Sequence, residues 1–278
     1  MSSLDSMPPA GDPPVEPGLP AIDAETRIVA LLGHPVAHSL SPRMQNAAFR
    51  ALGLNWAYVA LDVAPERVGE AVRGLAALGL AGANVTIPHK SAVIPFCDEV
   101  DTVARRAESV NTLVVHDGRL FGSSTDGLAV TQAVRAAGER VLLLGAGGAA
   151  KAVAVALADA GADVVVSARR DEQARALAAL CGGTTAAWPP RGDGFGILLN
   201  STPLKDELIV TPQPGQQVVD MAYNRDGSPT ALVAAACAAG CDVVVDGVAV
   251  LVGQGAAAFE RWTGQAAPVA AMRAALRA

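Results

Sequence analysis

Lys90 closes an apolar, β-rich run, Asn84-Val-Thr-Ile-Pro-His-Lys90, and Asp126 follows further on in Ser124-Thr-Asp126-Gly127. An ammonium and a carboxylate can form a proton-transfer pair. A Gly-rich stretch comes next, Gly145-Ala146-Gly147-Gly148-Ala149-Ala150. Such a stretch at the start of a helix can hold a nucleotide pyrophosphate. A proton-transfer pair beside a nucleotide turn points to carbonyl reduction by a nicotinamide cofactor. Each group also has a plainer reading. A lysine after a buried strand is most often a snorkelling surface residue. An aspartate in a Thr-Asp-Gly turn usually bonds local backbone.

The glycine stretch fits G-x-G-x-x-[G/A] and stands between the apolar run Val141–Leu144 and an alanine-rich segment, Gly148–Ala160. That strand-to-helix context is what gives the motif its meaning. Gly145 allows the tight turn, Gly147 lets backbone approach a pyrophosphate, and Ala150 allows close helix–sheet packing. Gly145, Ala146, Gly147, Gly148 and Ala149 are therefore the candidate phosphate contacts. Lys151 invites a P-loop reading, but Ala150 and Ala152 stand where that loop requires Gly and Ser or Thr. At the end of the next strand, Val164–Val166 runs into Ser167-Ala168-Arg169-Arg170. NAD enzymes usually place an acid there, whereas guanidiniums suit a 2′-phosphate. Arg169 and Arg170 thus favour NADP, with a solvated basic edge as the alternative.

Ser39 and Ser41 sit two apart where a strand gives way to a helix. If that segment is extended, both hydroxyls point to one side, and the adjacent helix N-terminus adds backbone donors. The result is a carboxylate site without a formal charge; the alternative is simple capping by Ser41 ahead of Pro42. His38 reads as a structural histidine. His89 and Tyr223 read as packing or substrate-wall residues.

These groups need elements to hold them. A βα rhythm predicts strands at Arg27–Leu32, Asn55–Val63 and Gly82–Ile87. Helices are expected after Ser41-Pro42 as far as Gly53, at Pro65–Leu78, and after Pro88 and Val100. A hairpin is expected around Asp117-Gly118, within Ser109–Leu120. After Asp126-Gly127 the rhythm repeats. Helices are predicted at Leu128–Ala137, Gly148–Ala160 and Glu172–Leu180. Strands are predicted at Val141–Leu144, Val164–Ser167, Gly196–Leu199, Gln217–Asp220 and Asp242–Val245. A further helix, capped by Ser228-Pro229, should end at Gly240. The final helices, near 249–262 and 266–277, follow the last strand and can cross back onto the first unit. The expected fold is α/β, with two α/β domains around a cleft. Small-molecule sites favour such clefts.

Composition bounds the reading further. The chain has 278 residues, a prior of about two domains at ~100–200 residues each. At 51% apolar it can bury a sizeable core, and its net charge of −6 argues against a nucleic-acid partner. No apolar run reaches the ~18 residues of a membrane span. The first twenty residues hold six prolines and no signal-peptide pattern, and read as a disordered tail. Cys97, Cys181, Cys237 and Cys241 show no framework or metal-ligand spacing. They read as reduced, buried thiols of a cytoplasmic protein, and no metal is expected.

Seven motifs occur in order: His38-Ser39-Leu-Ser41-Pro42, Asn84-Val-Thr86-Ile-Pro-His-Lys90, Val110-Asn111-Thr112, Thr125-Asp126-Gly127, Gly145-Ala-Gly-Gly-Ala, Asp220-Met-Ala-Tyr223-Asn224 and Asp246-Gly247 with Leu251-Val-Gly-Gln254-Gly255. Across about residues 26–276 this series resembles the shikimate/quinate dehydrogenase family. The resemblance implies reversible NADPH-dependent reduction of 3-dehydroshikimate to shikimate. It makes Lys90 and Asp126 the catalytic pair and puts Ser39 and Ser41 on the substrate carboxylate. It places Thr86, Asn111, Asp126 and Gln254 around the substrate hydroxyls, Tyr223 at the substrate–cofactor junction, and Arg169 and Gly247 on the cofactor. The family usually carries Asn at Ser124, His at Gln45, Gly at Lys205 and Met at Val250, and its Asn-Arg-Thr patch reads Ala168-Arg169-Arg170 here.

The expected organisation is a Pro-rich tail over 1–25 and a substrate-binding α/β domain over 26–126, completed by helices at 251–278. A Rossmann-type NADP-binding domain is expected over 127–250. The chain is expected to act as a monomer or homodimer. Quinate or aminoshikimate dehydrogenation is the nearest alternative. A non-catalytic sensor of a shikimate-type ligand is the alternative from another class, which loss of Lys90 or Asp126 would favour.

Overall fold

Alternating residues of the central strands feed two cores on opposite sheet faces, which is why these strands read as continuous apolar runs. The computed structural model describes residues 22–277. The first sheet uses β1 (Arg27–Gly33), β2 (Trp56–Asp62), β3 (Gly82–Val85), β4 (Glu99–Val100), β5 (Thr112–His116) and β6 (Arg119–Ser123). Its order is β2-β1-β3-β5-β6-β4. β2 and β3 flank β1 in parallel, and β5 then pairs antiparallel with β3 and β6. Asp117 and Gly118 turn the β5–β6 hairpin with φ of 50° and 72°, as a primed two-residue turn requires. Val29 and Leu31 enter the core under α1 (Ser41–Ala51), while Ala30 and Leu32 enter the one under α2 (Val68–Ala77).

The second sheet holds β7 (Arg140–Leu144), β8 (Asp163–Ser167), β9 (Thr184–Thr185), β10 (Ile197–Asn200), β11 (Gln217–Asp220) and β12 (Val243–Val245). Every pairing in it is parallel, in the order β12-β11-β10-β7-β8-β9. This is a doubly wound order, whose ligand crevice opens where the winding reverses. Here that is between β7 and β10.

The remaining helices are α3 (Thr102–Arg106), α4 (Asp126–Thr131), α5 (Gly148–Asp159), α6 (Asp171–Cys181), α7 (Ala231–Ala239), α8 (Gly247–Thr263) and α9 (Val269–Arg277). α8 joins the two units. Its first turns place Val250 in the core of the second sheet; its later turns place Val252, Phe259 and Trp262 in that of the first. Phe259 meets Phe49 of α1 at 5.3 Å between ring centroids, and the Trp262 indole donates to the Leu113 carbonyl at 2.9 Å. The last helices thus return to the first unit. α4 lies close on α5: a side chain at Gly127 would sit 2.5 Å from the Ala156 methyl.

Several local expectations are corrected. Asp126 opens α4 instead of lying in a free turn, and α4 stops at Thr131. A carboxylate in a first helical turn is favoured by the free N–H groups there. No α-helix follows Pro88; a short 3₁₀ turn spans Ile94–Phe96. Pro65–Leu78 divides into a 3₁₀ turn at Pro65–Arg67 and α2. Thr230 caps α7 in place of Ser228, its hydroxyl accepting from the Val233 N–H. Residues 22–25 belong to the fold, since Asp23 bonds Thr26 and Asn55; the rest of the expected tail lies outside the described residues. Of the four free cysteines only Cys181 is buried, and Cys237 is exposed. No described helix is long and apolar enough to cross a membrane.

Candidate active site

Lys90 follows the end of β3 after a turn at Ile87–Pro88, and Asp126 follows β6 as the first residue of α4. Their side chains meet: Lys90 Nζ donates to Asp126 Oδ2 at 2.5 Å, with 13% and 7% of the side chains exposed. The snorkelling reading of Lys90 therefore fails. The other carboxylate oxygen, Oδ1, accepts from Asn111 Nδ2 at 2.9 Å. Asn111 Nδ2 also reaches Thr125 Oγ1 at 3.0 Å and Gln254 Oε1, on α8, at 3.4 Å. The Thr125 N–H donates to Asn111 Oδ1 at 2.8 Å. Lys90, Asn111, Asp126 and Gln254 thus form one polar cluster at the ends of β3, β5 and β6, closed by α8.

Ser39 and Ser41 stand at the start of α1, but not as an extended pair. Leu40 between them takes the helical conformation and occupies the cap position. Ser41 is the first helical residue, and its N–H donates to Ser39 Oγ at 3.2 Å. Ser41 is buried beside the Tyr58 phenol. Burial, opposed by the Ser41 hydroxyl, pushes that phenol above its usual range. The phenol donates to Asn84 Oδ1 at 2.8 Å, and Asn84 Nδ2 donates to the Asn111 carbonyl at 3.0 Å. A buried polar chain therefore runs from Tyr58, beside Ser41, through Asn84 and Asn111 to Asp126 and Lys90. Neither Tyr58 nor Asn84 is assigned a site role by the sequence alone. The available signal is an Asn in an otherwise apolar, buried strand.

Thr86 lies half-buried at the end of β3, its methyl over Gly33. His89 is packing: its ring bonds the Val63 carbonyl at 2.7 Å. Tyr223, in the loop after β11, lies by the Leu40 backbone, and burial raises its phenol pKa. Tyr223 and Gly247 line a hollow of about 100 Å³ between that loop and the start of α8; Lys90 and Asp126 do not border it.

The glycine turn links β7 to α5. Gly145 has φ +101°, and a Cβ there would press on Ser201 and Thr202, which follow β10. The first-turn N–H groups of α5 have no side-chain cap and point out of the helix, as such donors must. Ser201 Oγ is buried without a partner. Arg169 and Arg170, exposed at the end of β8, make no ion pair among the described residues. A tight glycine cradle, free N–H donors, an orphan hydroxyl and two unpaired guanidiniums fit a dinucleotide with an added phosphate. The cradle also adjoins the cluster: a Cβ on Gly148 would lie 3.4 Å from Lys90 Cβ.

Comparison with known proteins decides the family. Residues 31–113 match the model of the shikimate dehydrogenase substrate binding domain, and residues 247–277 that of the shikimate 5′-dehydrogenase C-terminal domain. The shikimate dehydrogenase (NADP(+)) of Moorella thermoacetica is 44% identical over 281 residues, spanning 92% of this chain and 94% of its own. The chain belongs to the shikimate dehydrogenase family. A crystal structure of a shikimate dehydrogenase in complex with NADP+ superposes with a TM-score of 0.86 at 35% identity, covering 92% of this chain and 96% of that one. The Thermus thermophilus shikimate 5-dehydrogenase in complex with shikimate gives 0.81 at 35%, covering 90% and 98%. The fold is therefore the two-domain, Rossmann-type arrangement of shikimate dehydrogenases.

Proposed function

We propose that this chain is an NADP-dependent shikimate dehydrogenase, reversibly reducing 3-dehydroshikimate to shikimate on the route to aromatic amino acids. The observation that carries the reading is the Lys90–Asp126 pair set against the N-terminus of the nucleotide helix. Gly145–Ala149 and the α5 N-terminus would hold the pyrophosphate, Arg169 and Arg170 the 2′-phosphate, and Gly247 the nicotinamide side. When bound, NADPH supplies a hydride to the substrate ketone, and NADP+ accepts one in reverse. Lys90 gives its proton to the alkoxide oxygen as charge develops there. Asp126 orients the ammonium, and Asn111 holds the carboxylate. Ser39 and Ser41 bind the substrate carboxylate, while Thr86, Asn111 and Gln254 address its hydroxyls. Tyr223 forms the wall between substrate and cofactor.

In this reading residues 26–126 with 251–278 are the substrate domain and 127–250 the cofactor domain. All the groups named lie on one chain, so a monomer or a homodimer can work. The free thiols support a cytoplasmic setting.

The test is absorbance at 340 nm with shikimate, quinate and aminoshikimate, each with NADP+ and NAD+. Shikimate with NADP+ should give the highest kcat/KM; a preference for quinate or aminoshikimate would overturn the substrate assignment. Arg169→Glu should weaken NADP+ by about tenfold or more, since each charge-assisted contact is worth roughly 1.5–3 kcal/mol. Wild-type enzyme using NAD+ equally well would contradict that role. Ser39→Ala and Ser41→Ala should raise the shikimate KM more than they lower kcat, the pattern for lost uniform binding. An unchanged KM in both would place the carboxylate elsewhere.

A further inference from the structure

The segment between β1 and α1 folds back on itself, with the Ser39 N–H donating to the Val36 carbonyl. The carbonyls of Ala37 and His38, next along the segment, are both met from the other unit. Arg225, in the loop after β11, donates from Nε to the His38 oxygen at 3.1 Å and from Nη2 to the Ala37 oxygen at 3.4 Å. Two residues earlier on the same loop, the Tyr223 phenol lies at the Leu40 backbone. One loop of the cofactor unit thus bonds residues 37 and 38, immediately before Ser39, with Tyr223 close to Leu40 just after it.

The geometry points to Arg225 as a positioning residue that clasps the two units across the cleft and sets the Ser39–Ser41 hydroxyls for the substrate carboxylate. The inference rests on the carboxylate role of those serines. A guanidinium suits the task because its planar fork reaches two carbonyls from two nitrogens. The contact is made with backbone, so it fixes the path of the segment whatever the side chains of Ala37 and His38 are. It also lies on the loop that carries Tyr223, so anything that orders this loop on the cofactor side orders the serine segment on the substrate side. Two sites linked through one shared element show reciprocal coupling of their affinities. Substrate and cofactor should therefore each bind more tightly in the presence of the other, and Arg225 should carry part of that effect.

The test compares wild type, Arg225→Ala, Arg225→Lys, Ser39→Ala and Ser41→Ala. The readouts are shikimate KM, kcat, NADP+ affinity without substrate, and shikimate affinity by calorimetry with and without NADP+. Arg225→Ala should raise the shikimate KM roughly three- to tenfold, less than a buried charge-assisted bond would give because the guanidinium is exposed. Its kcat should stay within about twofold, NADP+ affinity alone should be unchanged, and the tightening of shikimate by NADP+ should shrink; these are the marks of lost binding and coupling without lost chemistry. Arg225→Lys, with the charge but not the fork, should fall between. A shikimate KM in Arg225→Ala equal to wild type, or equal losses in KM, kcat, NADP+ affinity and thermal stability, would overturn the clasp. A normal KM in Ser41→Ala, with that of Ser39→Ala also unchanged, would instead remove the carboxylate reading beneath it.

Discussion

Replacing Lys90 with Met should lower turnover roughly 10²–10⁴-fold, the usual contribution of a positioned proton donor, while NADP+ affinity stays near the wild-type value. The cofactor phosphates are assigned to the glycine turn and to Arg169 and Arg170, and it is the aliphatic stem of Lys90 that lies beside Gly148 of that turn. Methionine keeps the stem and removes the ammonium, so packing against α5 should survive. Asp126→Asn should also slow the reaction. It removes the charge that holds Lys90 Nζ at 2.5 Å and strands an ammonium in a site where the lysine side chain is only 13% exposed. Leaving a buried charge without its partner is costly. The double variant should be little worse than the poorer single one, because groups acting as a unit are non-additive. Turnover and cofactor titration of the three proteins, with circular dichroism to check folding, decide the matter. Near-wild-type turnover in Lys90→Met would remove the proton donor. Fully additive losses would leave two important residues and no pair.

The architecture is legible in sequence wherever a local pattern has one physical solution. Val141–Leu144 reads as a buried parallel strand because its residues alternate between two cores, and the glycine stretch behind it reads as a nucleotide turn. Asp117-Gly118 reads as a hairpin turn because both residues must adopt positive φ. The starts of helices with a capping signature are legible only to within a residue or two. Ser41-Pro42 and Ser228-Pro229 both carry a capping signature, yet Leu40 and Thr230 take the cap positions. Which residue does so depends on the direction from which the chain enters, and that is set by tertiary packing. Thr-Asp-Gly likewise reads as a turn until α5 lies close enough to Gly127 for a helix to pack there. The strands β4 and β9 have two residues each and exist only as partners of β6 and β8. At the site, Lys90 and Asp126 stand out by type and motif. The Tyr58–Asn84–Asn111 relay and the reach of Arg225 to His38 do not, because they depend on elements brought together from distant parts of the chain.

Asn111→Ala should lose both stability and turnover. Asn111 spends both polar atoms of its side chain on the fold: Nδ2 donates to Asp126 Oδ1 and Thr125 Oγ1, and Oδ1 accepts from the Thr125 N–H. The residue is 2% exposed, so water cannot replace these bonds without entering the core. Truncation leaves the Thr125 N–H and one lobe of the Asp126 carboxylate unpaired. Each buried group stranded in this way costs about 1–3 kcal/mol. A loss of about 2–4 kcal/mol in chemical denaturation is expected, within the range of broken buried networks. The same deletion frees the Asp126 carboxylate to rotate, and Lys90 with it, so turnover should fall on the order of 10–10²-fold, part of the range attributed to a correctly held acid. The split between constants tests the assignment. If Asn111 served only as a contact to a substrate hydroxyl, its loss would raise the shikimate KM, leave kcat near wild type and leave the denaturation midpoint unmoved. A lowered kcat together with a lowered midpoint places Asn111 where the geometry does, behind Asp126, as the group that keeps the proton-transfer pair aligned.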